Sequence, residues 1–150
     1  MSKRVLVPSL IGAVVIGAVA AGGYAMASGP TEPTVKSGSA RYTAPGPRGA
    51  GTFTYTADVT DDSGLRSLKV IAWPKSSKLA PTEAELRLVD GAACRATSDE
   101  TAHCTYTPAV TGQEAAGLPG GTWYVSVLAT AEDGDTTFVP RAATFEVTGR

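Results

Sequence analysis

The chain has 150 residues, with 13 basic and 14 acidic side chains and a net charge of −1 at pH 7. This near-neutral balance argues against nucleic-acid binding, because proteins that bind nucleic acids need a basic patch to neutralise phosphates. The length is that of a single domain, and two cysteines, Cys94 and Cys104, suit an exported protein with one disulfide.

The first 27 residues have the pattern of an export signal. Lys3 and Arg4 form a short positive segment, the run Val5–Gly23 carries no charge, and Ala25-Met26-Ala27 supplies the small-x-small motif that a signal peptidase cleaves. We therefore expect a secreted or extracytoplasmic protein whose mature chain begins at Ser28. Without the signal, the chain keeps 11 of its 13 basic residues and all 14 acidic ones, for a net charge of −3.

A membrane anchor is the alternative for the same segment. The uncharged residues 5–23 approach the length of about 20 residues that a helix needs to cross a bilayer. In that case the two basic residues would stay on the cytoplasmic side, and the membrane would be a partner only through this uncleaved anchor. Gly22-Gly23 would end the helix just before the cleavage motif, and no basic cluster follows, so we favour cleavage.

The mature chain begins with a predicted flexible linker over residues 28–38, which contain two prolines and two glycines and no apolar periodicity. The domain is predicted over residues 39–150. Its clearest strand is Thr52–Thr60, where apolar and polar residues alternate as in a half-buried strand. The apolar residues on its inner face are Phe53, Tyr55, Ala57 and Val59.

Short strands with turn residues between them continue along the chain. Besides Thr52–Thr60, strands are predicted at Ala40–Thr43, Leu65–Trp73, Leu86–Val89, Cys104–Thr107, Trp123–Thr130 and Thr144–Thr148. Helical turns are expected only at Thr82–Glu85 and Gln113–Gly117. About seven short strands and no long helix predict an all-β fold, an antiparallel β-sandwich.

Two motifs resemble bacterial immunoglobulin-like domains. Val59-Thr60-Asp61-Asp62-Ser63-Gly64-Leu65, followed by Leu68-Lys69-Val70, is similar to the corner between their second and third strands. Leu118–Val127, running on to Ala131-Glu132-Asp133-Gly134-Asp135, is similar to the corner before their sixth strand, that strand and the turn after it. The resemblance implies an immunoglobulin-like β-sandwich of about seven strands, and it indicates fold more than function. The composition, rich in Ala, Gly and Thr and without Asn, also resembles small uncharacterised exported proteins of actinobacteria.

The two cysteines enclose nine residues, and we expect a disulfide between Cys94 and Cys104 that stabilises the connection between the fourth and fifth strands. The alternative function for this loop is recognition, with Arg95 presented outward as in a small protease inhibitor. A redox role is disfavoured, because the spacing differs from Cys-x-x-Cys.

Acidic residues are concentrated in two segments, one with Asp58, Asp61 and Asp62 and the other with Glu132, Asp133 and Asp135. In a sandwich of this connectivity, the two corresponding loops lie at the same end. Carboxylates at that end could bind calcium, which takes about 6–8 oxygen ligands. Ordinary turn chemistry explains the same residues without a cofactor. The possible calcium ligands are Asp61, Asp62, Glu132, Asp133 and Asp135.

Neither histidine nor aromatic residues give a definite site. His103 is the only histidine, and we interpret it as a surface residue, since a zinc site needs further ligands. Five aromatic residues could form a sugar-stacking platform if they faced solvent, although core packing explains strand aromatics as well. They are Tyr55, Trp73, Tyr106, Trp123 and Tyr124.

The sequence contains no catalytic motif, so we expect a protein that is not an enzyme. Our leading hypothesis is an exported binding or structural module of the cell envelope or extracellular space, with a protein or glycan partner. The alternatives are a calcium-stabilised adhesion-type module, a secreted hydrolase or a protease inhibitor.

Overall fold

The computed structural model describes residues 32–148, so the predicted export signal and its helix lie outside the described part of the chain. These residues form eight strands and three short helical segments. The strands are β1 (Thr34–Thr43), β2 (Gly51–Thr60), β3 (Leu65–Pro74), β4 (Ala93–Ala96), β5 (Thr101–Tyr106), β6 (Ala109–Val110), β7 (Gly121–Ala131) and β8 (Thr136–Val147). The helical segments are a 3₁₀ turn (Lys75–Ser77), α1 (Glu83–Leu86) and α2 (Gly112–Ala116).

The strands form two antiparallel sheets. One sheet has the order β1-β2-β5-β4, with β6 pairing to the start of β2, and the other has the order β3-β7-β8. This order is the one found in constant-type immunoglobulin domains. The predicted all-β, antiparallel sandwich is therefore confirmed.

The two sheets pack face to face around aromatic residues. The predicted alternation of β2 is confirmed, since its odd-numbered residues are buried and its even-numbered ones are partly exposed. The ring centres of Phe53 and Phe145, which lie in opposite sheets, are 5.3 Å apart, and the ring centres of Phe145 and Trp123 are 5.8 Å apart. These contacts join the inner faces of both sheets into one core.

A second apolar layer covers the outer face of the three-stranded sheet. Trp73 and Leu128 point outward from β3 and β7, yet both are buried. The chain between β3 and β4 covers them: the 3₁₀ turn and α1 both contact β7, and Leu86 of α1 is fully buried. This connection therefore does more than join two strands, because it closes one side of the fold.

The predicted strand at Leu86–Val89 is wrong. Thr82 and Glu85 form a capping box, in which each side chain accepts a hydrogen bond from the other's backbone N–H, and this box starts α1. Leu86 is buried while Leu88 is 87% exposed, a pattern that an inward-facing strand would not produce. The true fourth strand is Ala93–Ala96, whose side chains are all exposed. The two predicted helical turns are confirmed as α1 and α2.

The segment before β4 passes from one sheet to the other. The backbone N–H of Val70 in β3 donates to Asp90 O (3.2 Å), and the N–H of Ala92 donates to Leu68 O (2.8 Å). From Ala93 onward the same chain pairs with β5 in the other sheet. One short stretch thus contacts the outer edge of both sheets.

The first strand begins at Thr34, inside the segment predicted as a linker and before the predicted domain start at Ser39. A register shift interrupts β1 between Lys36 and Ser39. At Gly38 a Cβ atom would lie 2.9 Å from the Oη of Tyr55, so any larger residue at that position would have to displace this hydroxyl or the strand. The last strand is also longer than predicted and begins at Thr136.

Within residues 32–148, no helix has the length and apolar character that crossing a membrane requires.

Candidate functional site

Asp61 shapes the turn between β2 and β3. Its Oδ2 accepts hydrogen bonds from the backbone N–H of Ser63 (2.8 Å) and from the Ser63 hydroxyl (2.7 Å). Its backbone carbonyl accepts from the N–H of Gly64 at 3.0 Å. Gly64 has a φ of +94°, in a region that side-chain-bearing residues rarely adopt. The local sequence therefore fixes the Asp61 carboxylate at one end of the sandwich.

The turn between β7 and β8 meets this first turn. The backbone N–H of Asp133 donates to Oγ of Ser63 at 3.1 Å, and the N–H of Glu132 donates to the carbonyl of Gly64 at 2.8 Å. These two contacts hold the loops side by side, as the predicted connectivity required. We call this end of the molecule the acidic pole, defined by Asp61, Asp62, Glu132, Asp133 and Asp135.

Three of the five predicted ligands come together. Asp61, Asp62 and Asp133 each offer a carboxylate oxygen, and the three oxygens lie within 4.8 Å of one another. Glu132 points elsewhere, since its carboxylate lies 3.9 Å from Nε of Arg66. Asp135 flanks the cluster, and its backbone N–H donates to Oδ1 of Asp133 at 3.0 Å. We call Asp61, Asp62 and Asp133 the carboxylate cluster.

The negative charge at this pole affects Asp135. Partial burial, followed by repulsion from Asp133, Asp61 and Asp62, raises the pKa of the Asp135 carboxyl above its ordinary value. The carboxylates of the cluster are therefore close enough to oppose the ionisation of Asp135.

Asp61 differs from the other two members because it is buried. Only 2% of its surface is exposed, whereas Asp62 and Asp133 are open to solvent. Its Oδ1 is buried and has no hydrogen-bond partner among residues 32–148. A buried carboxylate oxygen without a partner is unfavourable, because ionised groups lose strong hydration when they leave water.

The disulfide supports the same pole from a third side. Cys94 and Cys104 are directly opposite each other on β4 and β5, and their sulfurs are bonded, as predicted. The turn of this hairpin reaches the cluster, since Glu100 O accepts a 2.8 Å hydrogen bond from the N–H of Asp61. A cavity of about 240 Å³ lies beside it, lined by residues of all three loops, including Gly64, Asp99 and Glu132.

Asp58 does not belong to the acidic pole, although the sequence placed it near Asp61 and Asp62. It lies on the outer face of the five-stranded sheet, where its Oδ1 is 2.8 Å from Nδ1 of His103. Asp58 and His103 are cross-strand partners on β2 and β5. Sequence analysis missed this pair because alternation indicates the face of each strand, whereas the pairing register that joins them is a tertiary property.

The aromatic side chains do not form the sugar-stacking platform that the sequence left open. Tyr55, Trp73 and Trp123 are buried in the two apolar layers. Tyr124 packs against Trp73, with 4.9 Å between the two ring centres. The guanidinium carbon of Arg141 lies over the ring of Tyr124, 4.5 Å from the centre of that ring. Core packing therefore accounts for these rings.

A groove of about 530 Å³ lies at the opposite end of the sandwich from the acidic pole. The loop after β1, the helix α2 and the end of β8 line it, with Tyr42, Ala115 and Val147 among their residues. All of the lining side chains are uncharged.

Comparison with known proteins identifies the family of the chain. Residues 35–129 match DUF5707, which is described as a family of unknown function. A comparison with curated proteins returns no match. The matched segment includes both cysteines and Asp61 and Asp62, and it spans more than half of the chain. The chain therefore belongs to the DUF5707 family of unknown function.

Proposed function

We propose that this protein is an exported, non-catalytic binding module with an immunoglobulin-like architecture. Two features support export: the signal pattern of the first 27 residues and the disulfide, because disulfides persist in oxidising compartments outside the cytoplasm. Sandwiches with this strand order are common in extracellular recognition domains. The amino-acid composition, which resembles that of small exported proteins of actinobacteria, also supports this proposal.

The observation that carries the binding role is the outer face of the five-stranded sheet. Four charged or titratable residues follow one another across β1, β2, β5 and β4, because each is the cross-strand partner of the next. This row, which we call the charged row, consists of Lys36, Asp58, His103 and Arg95. Hydroxyl-bearing residues flank it, including Thr56 and Thr105.

This face suits a polar protein partner. Lys36 and Arg95 are exposed at the two ends of the row, and Asp58 and His103 are partly exposed at its centre. Mixed charges on a rigid sheet favour a complementary charged surface and select against partners with the wrong pattern. We favour a protein over a glycan because Tyr55, Trp73 and Trp123 are buried, and the ring of Tyr124 lies against Trp73 and under Arg141, so these rings are not open to stack on sugars.

The same arrangement supports a non-catalytic role. Asp58 and His103 lie on a sheet surface, and neither lines the two cavities described above. A catalytic acid or base acts best in a pocket that holds the substrate within hydrogen-bond reach.

The test is capture from envelope and culture-medium extracts with the purified protein as bait. The K36E/R95E double variant reverses both ends of the charged row, and K75E/K78E reverses two exposed lysines in the chain between β3 and β4 as a matched control. We expect one protein to be retained by the wild type and the control and lost with K36E/R95E. Equal retention by all three baits, or co-sedimentation with purified cell-wall polysaccharide instead, would contradict the proposal.

Export itself is tested separately by N-terminal sequencing of the protein from the medium. Ser28 is the expected first residue, whereas a membrane-bound form that still begins at Met1 or Ser2 would support the anchor.

A further inference from the structure

We infer that the carboxylate cluster of Asp61, Asp62 and Asp133 is a divalent-cation site and that calcium is the ion it binds. The inference goes beyond the proposed function, because it does not depend on the charged row or on the identity of a partner. It rests on two independent observations, the convergence of three carboxylates and the buried, unpartnered oxygen of Asp61.

The convergence alone would be ordinary turn chemistry. Exposed carboxylates in adjacent loops tolerate one another, since water and salt screen their repulsion within about 10 Å at 0.1 M salt. Asp62 and Asp133 are of this kind. They require no cation to explain them.

Asp61 does require an explanation. Its carboxylate is 2% exposed, and the hydroxyl and N–H of Ser63 satisfy only Oδ2. Oδ1 is buried, and no group in the described part of the chain forms a hydrogen bond with it. Within residues 32–148, no cationic side chain lies within ion-pair distance of this carboxylate, and the nearby Arg66 pairs with Glu132 instead. A cation bound by the Asp61 carboxylate would supply the positive charge that the described residues do not provide.

The dimensions of the cluster fit calcium. Calcium binds 6–8 oxygens at about 2.3–2.6 Å, so two ligand oxygens on one ion are at most about 5 Å apart. The three carboxylate oxygens, all within 4.8 Å of one another, meet this limit without movement of the loops. Backbone carbonyls and water can complete the shell. Magnesium fits less well, because it demands a tight octahedron and keeps several of its waters.

The ion would join two loops that are far apart in the sequence. Asp61 and Asp62 belong to the turn after β2, and Asp133 belongs to the turn after β7. The hydrogen bond from the N–H of Asp133 to Oγ of Ser63 already holds these loops in register. Calcium would replace the repulsion between their carboxylates with direct ligation, so it should stabilise the folded state selectively.

The experiment is a calcium titration of the purified full chain after treatment with EDTA. Thermal melting is followed in CaCl₂, in MgCl₂ and in NaCl of equal ionic strength, and isothermal titration calorimetry gives the stoichiometry. We expect one calcium per chain and, at 100 times the dissociation constant, a rise in Tm of about 8–15 °C. Sodium should produce no such rise, and magnesium a smaller one.

Variants separate a specific site from a diffuse acidic surface. Asp62→Asn and Asp133→Asn change exposed residues and should fold normally, yet each should weaken calcium binding at least tenfold. Asp61→Asn should abolish binding while its side-chain oxygen can still accept from Ser63. Asp99→Asn is the matched control, because it removes the same charge from a residue that lines the neighbouring cavity and lies outside the carboxylate cluster, and it should bind calcium as the wild type does.

The outcomes are decisive in both directions. Saturable binding that is lost in Asp62→Asn and Asp133→Asn and kept in Asp99→Asn supports the site. The absence of saturable heat, an equal loss in all four variants, or a magnesium effect as large as that of calcium would overturn it. Failure of this test leaves the charged row unaffected, because the row lies on a sheet face and not at the acidic pole.

Discussion

The indole Nε1 of Trp73 donates a 2.8 Å hydrogen bond to Oγ of Ser126, and the same hydroxyl donates to Pro140 O at 2.7 Å. One buried serine therefore links β3, β7 and β8 on the outer face of their sheet. Pro140 lies where β8 departs from regular pairing with β7, a position at which proline is tolerated because no ladder N–H is required. The hydroxyl of Ser126 compensates for this irregularity.

Replacing Ser126 with alanine should destabilise the fold by about 1–3 kcal/mol, because the Trp73 N–H and the Pro140 carbonyl would lose their buried partner. Urea denaturation of both proteins measures the change. Ser76→Ala, at an exposed position, is the control and should lie within about 0.5 kcal/mol of the wild type. A Ser126→Ala variant as stable as the control would show that the hydrogen bonds contribute little.

Tyr55→Phe should leave stability unchanged or raise it by about 1 kcal/mol. The hydroxyl of Tyr55 is buried and has no hydrogen-bond partner within the described residues 32–148, and burial raises the pKa of this phenol above its ordinary range. Removing a polar group that makes no hydrogen bond relieves a desolvation penalty without creating a cavity of consequence. A loss of more than about 1 kcal/mol in urea unfolding would mean that the hydroxyl is hydrogen-bonded in solution.

Gly38→Ala should be destabilising, and Tyr55→Phe should partly rescue it. An added Cβ at Gly38 would meet Oη of Tyr55 at 2.9 Å and Ala142 O at 3.2 Å. Deleting the hydroxyl removes the closer contact, so a double-mutant cycle should give a coupling energy of about 0.5 kcal/mol or more. Strict additivity of the two changes would contradict the predicted contact.

Reducing the disulfide should lower the free energy of unfolding by about 2.5–3 kcal/mol, which is the chain-entropy value for a loop of this length. Cys94 and Cys104 are ten positions apart, and Cys94 is exposed to reductant. Denaturation with and without dithiothreitol measures the effect. The C94S/C104S variant should not respond to dithiothreitol, and a response in that variant would assign the effect to something other than the disulfide.

Asp135→Asn should raise Tm at pH 7 in the presence of EDTA, and the gain should disappear in acid. Because the pKa of Asp135 is raised on folding, the folded protein holds more protons than the unfolded chain between about pH 3.9 and that raised value. Stability therefore falls as pH rises through this window, and the penalty is complete above it. Parallel melting of Asp99→Asn across pH 3–8 is the control, and an equal gain in both variants would point to general charge reduction.

The sequence predicted the strands whose inner and outer faces differ most. Thr52–Thr60 alternates strictly between apolar and polar residues, and only a half-buried strand satisfies that pattern. The disulfide was predictable for a simpler reason, because Cys94 and Cys104 are the only cysteines of the chain. Both inferences depend on local or countable properties.

The segment around Leu86 was mispredicted because its apolar spacing suits more than one structure. Leu86 and Val89 are three positions apart, as on a helix face, while Leu86 and Leu88 are two apart, as on a strand face. Leu86 is buried against the outer face of the three-stranded sheet, and this burial favours the helix over the strand. Leu88 is exposed as a consequence. The existence of an apolar layer on that face is a tertiary feature.

The acidic pole was predictable from topology, but its internal arrangement was not. Loop connectivity alone brings Asp61 and Asp133 to the same end of a sandwich. The selection of three carboxylates from the five candidates depends on the hydroxyl of Ser63, which binds both turns, and on Arg66, which holds Glu132 away. These contacts follow from side-chain positions that no residue pattern encodes.

The passage of residues 90–96 from one sheet to the other also protects the protein from aggregation. A long unpaired strand edge is a template for strands from other molecules. The backbone in the middle of β3 is already hydrogen-bonded to Asp90 and Ala92. The edge strand of the other sheet on this side, β4, is only four residues long. Strand addition from a neighbouring molecule is therefore disfavoured on this side of the sandwich.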